Sequence, residues 1–221
     1  MIDALIFDFD GLIVETEGTW FDVWQETYLR YDQPLPFDLY ARTIGTSFEA
    51  FDPWVHLESL IGRSLDREPI RRQQRVRYAE LIQDAPILPG VIDHLDRAAE
   101  LGIKLAVASS SDRNWVVGHL SRLHLVDRFA VIRTSNDVAR VKPDPELYLS
   151  ATTMLGATAW RTIAFEDSPN GLRSARDAGL FCIVVPNALT ARLPLEDAHL
   201  RLRSLADHTL DELIIVAAGR S

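Results

Sequence analysis

From about residue 85 to residue 186 the chain alternates short apolar runs with amphipathic stretches, and no other feature limits the possible folds as much. VIDHLDRAAELG (91–102) carries apolar residues at helical spacing and stops at a glycine. IKLAVAS (103–109) is a short apolar run of the kind a parallel sheet buries on both faces. The spacing then predicts a helix over 112–124, a strand over FAVIR (129–133), a helix from Pro145 towards Leu155 and a strand over TIAFED (162–167). NGLRSARDAG (170–179) reads as a helix and FCIVVP (181–186) as a strand. Strands alternating with helices of this length are βαβ units, and their handed crossovers place helices on both faces of one parallel sheet.

Near the N-terminus, ALIF (4–7) is a further buried strand, but it is cut off from its partners. Between it and residue 85 lie TWFDVWQETYLRY, PFDLYARTI, SFEAFDPWVHLESLI and DREPIRRQQRVRYAELI, all with helical patterning. DAPILPG (84–90), with two prolines and a glycine, reads as the return hinge. The expected architecture is a Rossmann-like parallel α/β core with helices on both faces, built from residues 1–14 and 85–221. A small helical cap, residues 15–84, is inserted after the first strand.

In open parallel sheets, ligands gather at the carboxyl ends of the strands. ALIF ends in Asp8, Asp10 and Gly11; IKLAVA in Ser109, Ser110 and Ser111; TIAF in Glu166, Asp167 and Ser168. One edge thereby collects four carboxylates. Oxygen ligands without His or Cys suit Mg²⁺ and disfavour zinc. Lys104 and Lys142 are the only lysines among 23 basic residues, and Lys142 precedes a proline suited to opening a helix. A compact ammonium at that place, rather than a guanidinium fork, points to a phosphate held between Mg²⁺, Lys142 and Ser109. Asp8 is then the carboxylate nucleophile, and Asp10 the acid that protonates the leaving oxygen and later deprotonates water.

The formal net charge of −9 argues against a nucleic-acid or anionic-membrane partner. No apolar run approaches the roughly 20 residues of a membrane span, and MIDALIFDFDG lacks the basic start of a signal peptide. Cys182, the single cysteine, lies in the apolar run FCIVV and reads as a core thiol. A cytoplasmic protein, monomeric because the cap already closes its site, is the expectation.

DFDG at the first strand end, Ser109 after the second, Lys142-Pro143 and EDSPNG (166–171) resemble, in order, the four motifs of the haloacid dehalogenase superfamily. Within it the chain is most similar to the β-phosphoglucomutase/phosphoglycolate phosphatase-like subgroup. The resemblance implies Asp8 as nucleophile and Asp10 as acid/base, with Asp8, Asp10 (through its backbone carbonyl), Glu166 and Asp167 on Mg²⁺. It further implies Ser109, Ser110 and Lys142 on phosphate. Thr16, Trp20 and Phe48 are the candidate specificity residues. The mutases of this subgroup carry a histidine where Trp20 stands, and a lysine and an arginine where Ile44 and Phe48 flank IGTSF. Apolar residues there favour a Mg²⁺-dependent phosphatase acting on a small phosphorylated metabolite, with a β-phosphoglucomutase-type mutase as the alternative.

Overall fold

The computed structural model describes residues 2–41 and 51–219 of the chain. Its centre is a six-stranded sheet in the order β3-β2-β1-β4-β5-β6, with every neighbouring pair parallel. The strands are β1 (Ala4–Phe7), β2 (Lys104–Ala108), β3 (Val131–Arg133), β4 (Thr162–Glu166), β5 (Phe181–Val184) and β6 (Leu200–Arg201). Five of them are those the apolar runs predict. The sixth is two residues long, too short to carry a periodicity.

The side-chain alternation of β1 explains why it sits at the centre. Leu5 and Phe7 point into one hydrophobic cluster, Ala4 and Ile6 into the other, and all four are fully buried. On the first face Phe7 stacks on Phe165 with centroids 4.8 Å apart, against helices α5 (Val91–Glu100) and α9 (Leu210–Ala218). Each phenyl ring so buried stabilises the fold by about 1.5–3 kcal/mol. The second face packs against α7 (Glu146–Met154) and α8 (Pro169–Asp177). The register pairs Phe7 with both Val107 and Phe165, so the carboxyl ends of β1, β2 and β4 finish level.

Between β1 and α5 lie α1 (Glu17–Leu29), α2 (Phe37–Tyr40), α3 (Pro53–Ile61) and α4 (Arg67–Ile82). They share an apolar cluster of their own, with Trp24, Tyr28, Trp54 and Leu57 buried in it. A buried hydrogen bond from Gln74 Nε2 to Thr27 Oγ1 (2.9 Å) ties α4 to α1. Asp52 caps α3, its Oδ1 accepting from the Trp54 N–H at 2.8 Å, with Pro53 in the first turn. Val23, Tyr78 and Ile82 of α1 and α4 also join the main core cluster, so these helices rest against the sheet domain. Ile44 and Phe48 fall outside the described residues. Among the described residues no helix is long and apolar enough to cross a membrane.

Candidate active site

The level strand ends bring the three sequence clusters together. Asp8 follows β1, and its N–H donates to Phe165 O at 2.9 Å, which continues the ladder by one residue. The chain then turns at Gly11, with φ +79°, and an isolated bridge between Asp10 and Val14 closes the turn. A Cβ at Gly11 would lie 2.4 Å from Asp167 Oδ2, so only glycine lets these two strand ends approach.

Asp8 and Asp10 share a chamber but have different partners. Asp10 is held by donors: Thr16 Oγ1 (2.8 Å) and Trp115 Nε1 (2.9 Å) on Oδ1, Ser111 Oγ (2.6 Å) and Ser109 Oγ (3.3 Å) on Oδ2. Trp115 stands in the first turn of α6 (Arg113–Arg122), the helix that follows the serines. Asp8 instead faces Lys142, whose Nζ lies 2.5 Å from Asp8 Oδ1 and 2.6 Å from Glu166 Oε1. Glu166, fully buried, also accepts from the Tyr148 hydroxyl at 2.6 Å.

Burial dominates the electrostatics of this group. It pushes Asp8 up to about 8; Lys142 opposes the rise, and Glu166 and Asp10 add to it. Asp167 is likewise raised by burial and then by Asp8 and Glu166. Burial alone would lower Lys142, but Asp8 and Glu166 outweigh it and hold the ammonium above its usual range. Oxygens of Asp8, Glu166 and Asp167, all buried, lie within 4.8 Å of one another. Three carboxyl groups buried beside one ammonium cannot all ionise without a further positive charge, and hard oxygen donors at this spacing fit a divalent cation.

Two spaces that share Asp10, Glu17 and Ser111 in their walls open from these residues. The smaller, about 80 Å³, is lined by Asp8, Asp10, Lys142, Asp167 and residues 109–111, with Ser109 buried and Ser110 exposed. The larger, about 270 Å³, lies beyond Asp10 and is walled by Thr16, Glu17, Trp20, Tyr78, Ser111, Asp112 and Trp115. Trp20 stacks on Tyr78 with centroids 4.2 Å apart. Thr16 is buried, and its hydroxyl is committed to Asp10. Phe48 lies outside the described residues.

Sequence reasoning missed Trp115, Tyr148, Glu17 and Tyr78. For Trp115 a signal existed: it sits three residues beyond Asp112, the helix cap that follows the serines. Tyr148 lies six residues past Lys142, within the helix that lysine introduces. Nothing local marks Tyr78, which reaches the site from the far end of the inserted helices.

A family model described as haloacid dehalogenase-like hydrolase matches residues 5–185. YhcW of Bacillus subtilis (strain 168), which bears a provisional name as a phosphatase, is 44% identical over 214 residues, 97% of each chain. A phosphorylated carbohydrates phosphatase of Thermotoga maritima is 31% identical over 182 residues, covering 81% of this chain and 82% of its own length. Among solved structures, CbbY from Rhodobacter sphaeroides in complex with phosphate superposes with a TM-score of 0.74 at 29% identity, covering 96% of this chain and 99% of that one.

Proposed function

The chain belongs to the haloacid dehalogenase-like hydrolases, and from that premise we propose that it is a Mg²⁺-dependent phosphatase of small phosphorylated carbohydrates. The observation that carries the reading is the division of labour between two aspartates in one chamber. Asp8 faces a buried ammonium, and Asp10 faces four neutral donors and the larger space.

In the proposed reaction the substrate phosphate enters the smaller space, with Lys142 and the hydroxyls of Ser109 and Ser110 on its oxygens. An Asp8 oxygen attacks phosphorus, and the bond to the leaving oxygen breaks. Asp10 acts as the general acid that delivers a proton to that oxygen and frees the alcohol. Asp10 then takes a proton from a water that attacks the aspartyl phosphate, which releases inorganic phosphate and restores Asp8. Thr16, Ser111 and Trp115 fix the rotamer of Asp10, so that it meets the leaving group from the side of the larger space. The carboxylates of Asp8, Glu166 and Asp167 would hold Mg²⁺, with the Asp10 backbone carbonyl. When bound, the ion offsets the charge gathered on carboxylates and phosphoryl oxygens.

Residues 15–84 act as a cap over this site, hinged near 13–16 and 83–88, and their closure excludes bulk water. Trp20 on α1 and Tyr78 on α4 meet Trp115 of the core across the larger space, which supports this division.

The test is a phosphate-release screen over sugar phosphates, nucleotides and phosphoglycolate, with and without Mg²⁺, alongside Asp8→Asn and Asp10→Asn. Metal-dependent release from carbohydrate esters, abolished by Asp8→Asn and strongly slowed by Asp10→Asn, is the expected result. Conversion of β-glucose 1-phosphate to glucose 6-phosphate without release would replace the reading with a mutase. Substantial turnover by Asp10→Asn would remove its assigned role.

A further inference from the structure

The four strand-end carboxyl groups are not held alike. Asp10 has four donors, and Asp8 and Glu166 share the Lys142 ammonium. The side chain of Asp167 accepts one hydrogen bond among the described residues, from Asn187 Nδ2 to its Oδ2 at 3.0 Å. Strand register brings these two residues together. Glu166 pairs with Val184, and the Val185 N–H donates to Glu166 O at 2.7 Å, so β4 and β5 leave the sheet side by side. Gly11 closes the group from the end of β1, where a Cβ would lie 2.8 Å from Asn187 Nδ2.

Asn187 is itself locked in place by the turn that follows it. Its Oδ1 accepts from the N–H groups of Leu189 and Thr190, both at 2.9 Å, and from the Thr190 hydroxyl at 3.2 Å. The Asn187 N–H in turn donates to Thr190 Oγ1 at 3.0 Å. With Oδ1 engaged by these donors the amide has one orientation, and its NH₂ faces Asp167. The turn is anchored on both sides. Thr190 is fully buried, and Leu189 packs with Ala41 and with Phe21 and Phe37 of the inserted helices. The Arg192 guanidinium lies 4.3 Å from the Phe37 ring centroid. Turn capping accounts for Oδ1 alone. A serine or threonine hydroxyl can cap such a turn as well, so the turn by itself does not call for an amide N–H aimed at Asp167.

We propose that Asn187 is a positioning residue for the divalent cation, holding the Asp167 carboxylate in the orientation that metal binding needs. The inference rests on the metal-dependent phosphatase reading and adds to it a residue outside the three strand-end clusters. Partners that hydrogen-bond a ligating carboxylate fix its orientation before the ion arrives, so less ordering is left to oppose binding. A neutral amide suits this task better than a basic side chain. Lysine or arginine at 187 would pair with Asp167 and compete with the cation for its charge. An amide N–H takes one of about four acceptor positions on the carboxylate and leaves that charge to the metal. Lys142 pairs with Asp8 and Glu166. The carboxyl group with which it makes no ion pair among the described residues is the one that Asn187 holds.

The experiment titrates the substrate-free protein with Mg²⁺ by calorimetry and, in parallel, follows phosphate release from 4-nitrophenyl phosphate across Mg²⁺ concentrations. Asn187→Ser keeps a hydroxyl that caps the turn but is too short to reach Asp167, and it should weaken Mg²⁺ binding by about tenfold to a hundredfold. The Mg²⁺ concentration for half-maximal rate should rise by the same factor, while kcat at saturating Mg²⁺ is largely kept. Thr190→Val removes a hydroxyl from the turn and leaves Nδ2 on Asp167, so it should lower Tm with Mg²⁺ affinity unchanged. Should Asn187→Ser fail to fold, Asn187→Thr, which also caps through a hydroxyl, carries the same measurement. Wild-type Mg²⁺ affinity in Asn187→Ser overturns the assignment. So does an equal loss of affinity in Thr190→Val, which would make the effect one of turn stability. A wild type that takes up no Mg²⁺ overturns the metal-dependent reading itself, and this assignment with it.

Discussion

Gly171 and Glu166 are in contact so close that a Cβ on the glycine would lie 1.9 Å from the Glu166 carboxyl carbon. Gly171 belongs to the first turn of α8, where its N–H donates to the capping Ser168 hydroxyl at 3.2 Å. The helix start therefore packs directly against the carboxylate that holds Lys142. The glycine of EDSPNG is there for space: its φ is not in the left-handed region.

Gly171→Ala should consequently displace Glu166, which is fully buried and has no room to move. The expected cost is about 1–3 kcal/mol of stability, the usual range for overpacking a filled interior, together with loss of turnover. Urea denaturation of the variant measures it, with Gly11→Ala, which crowds Asp167 and adds the strain of a left-handed φ, as a harsher comparison. A variant with wild-type midpoint and rate would show that Glu166 is freer than its contacts imply.

Thr16 tests the positioning of Asp10. Thr16→Val is nearly isosteric and removes the 2.8 Å hydrogen bond to Oδ1 while leaving Trp115 and Ser111 in place. A side-chain hydrogen bond is worth about 0.5–1.5 kcal/mol, so kcat should fall by roughly twofold to tenfold. KM should change less, and Thr16→Ser should recover most of the rate. An effect confined to KM would assign Thr16 to substrate contact instead.

The parts of this site that sequence made legible are those set by strand ends. In a parallel sheet Asp8, Ser109 and Glu166 share one edge, because each stands at the carboxyl end of its strand. The placing of β1 between β2 and β4 is visible only in the structure. Lys142 stands out by residue type together with its place before a proline suited to opening a helix. What it contacts does not: its ion pairs to Asp8 and Glu166 depend on how residues 138–145 lead into α7. Tyr78 and Glu17 were hidden for another reason. Both lie on helices whose sequence reads as ordinary amphipathic packing, and only the docking of α4 against α1 and α6 brings the two residues to the wall of the larger space. Residues 42–50 lie outside the described structure, and with them Phe48.

Removing the ammonium should expose the electrostatic strain of the group. Lys142→Ala leaves Asp8 and Glu166 buried without their counter-ion, a change that typically costs about 3–5 kcal/mol. The loss should be largest near pH 8 and smaller near pH 5, where Asp8 keeps a proton in place of the ammonium's charge. Thermal unfolding of wild type and variant at both pH values, in chelator, tests this. Equal losses at both would mean that packing of the lysine stem, and not its charge, is what stabilises the site.

The raised pKa of Asp8 makes a further prediction about the metal-free protein. In the unfolded chain the group titrates near 3.8, whereas burial holds it at about 8 in the folded state. Below the lower value both states keep the proton, and the contribution of Asp8 is fully present. As pH rises towards 8 the unfolded chain has released its proton while the folded chain still binds one, so stability falls through this window. Asp167, raised by the same burial, acts in the same direction. His94 and His119, which burial lowers, act in the opposite direction, because the stability they contribute is lost as pH falls. Comparison with Asp8→Asn removes their effect, since both proteins contain them. In chelator, wild type should therefore lose stability relative to Asp8→Asn between about pH 5 and pH 8. Mg²⁺ requires ionised carboxylates, so the rise in Tm it produces should grow over the same interval in wild type and be much smaller in Asp8→Asn. Scanning calorimetry at several pH values, with Mg²⁺ and with chelator, reads both effects. A metal-induced shift that does not vary with pH, or that persists undiminished in Asp8→Asn, would move the cation away from this carboxylate.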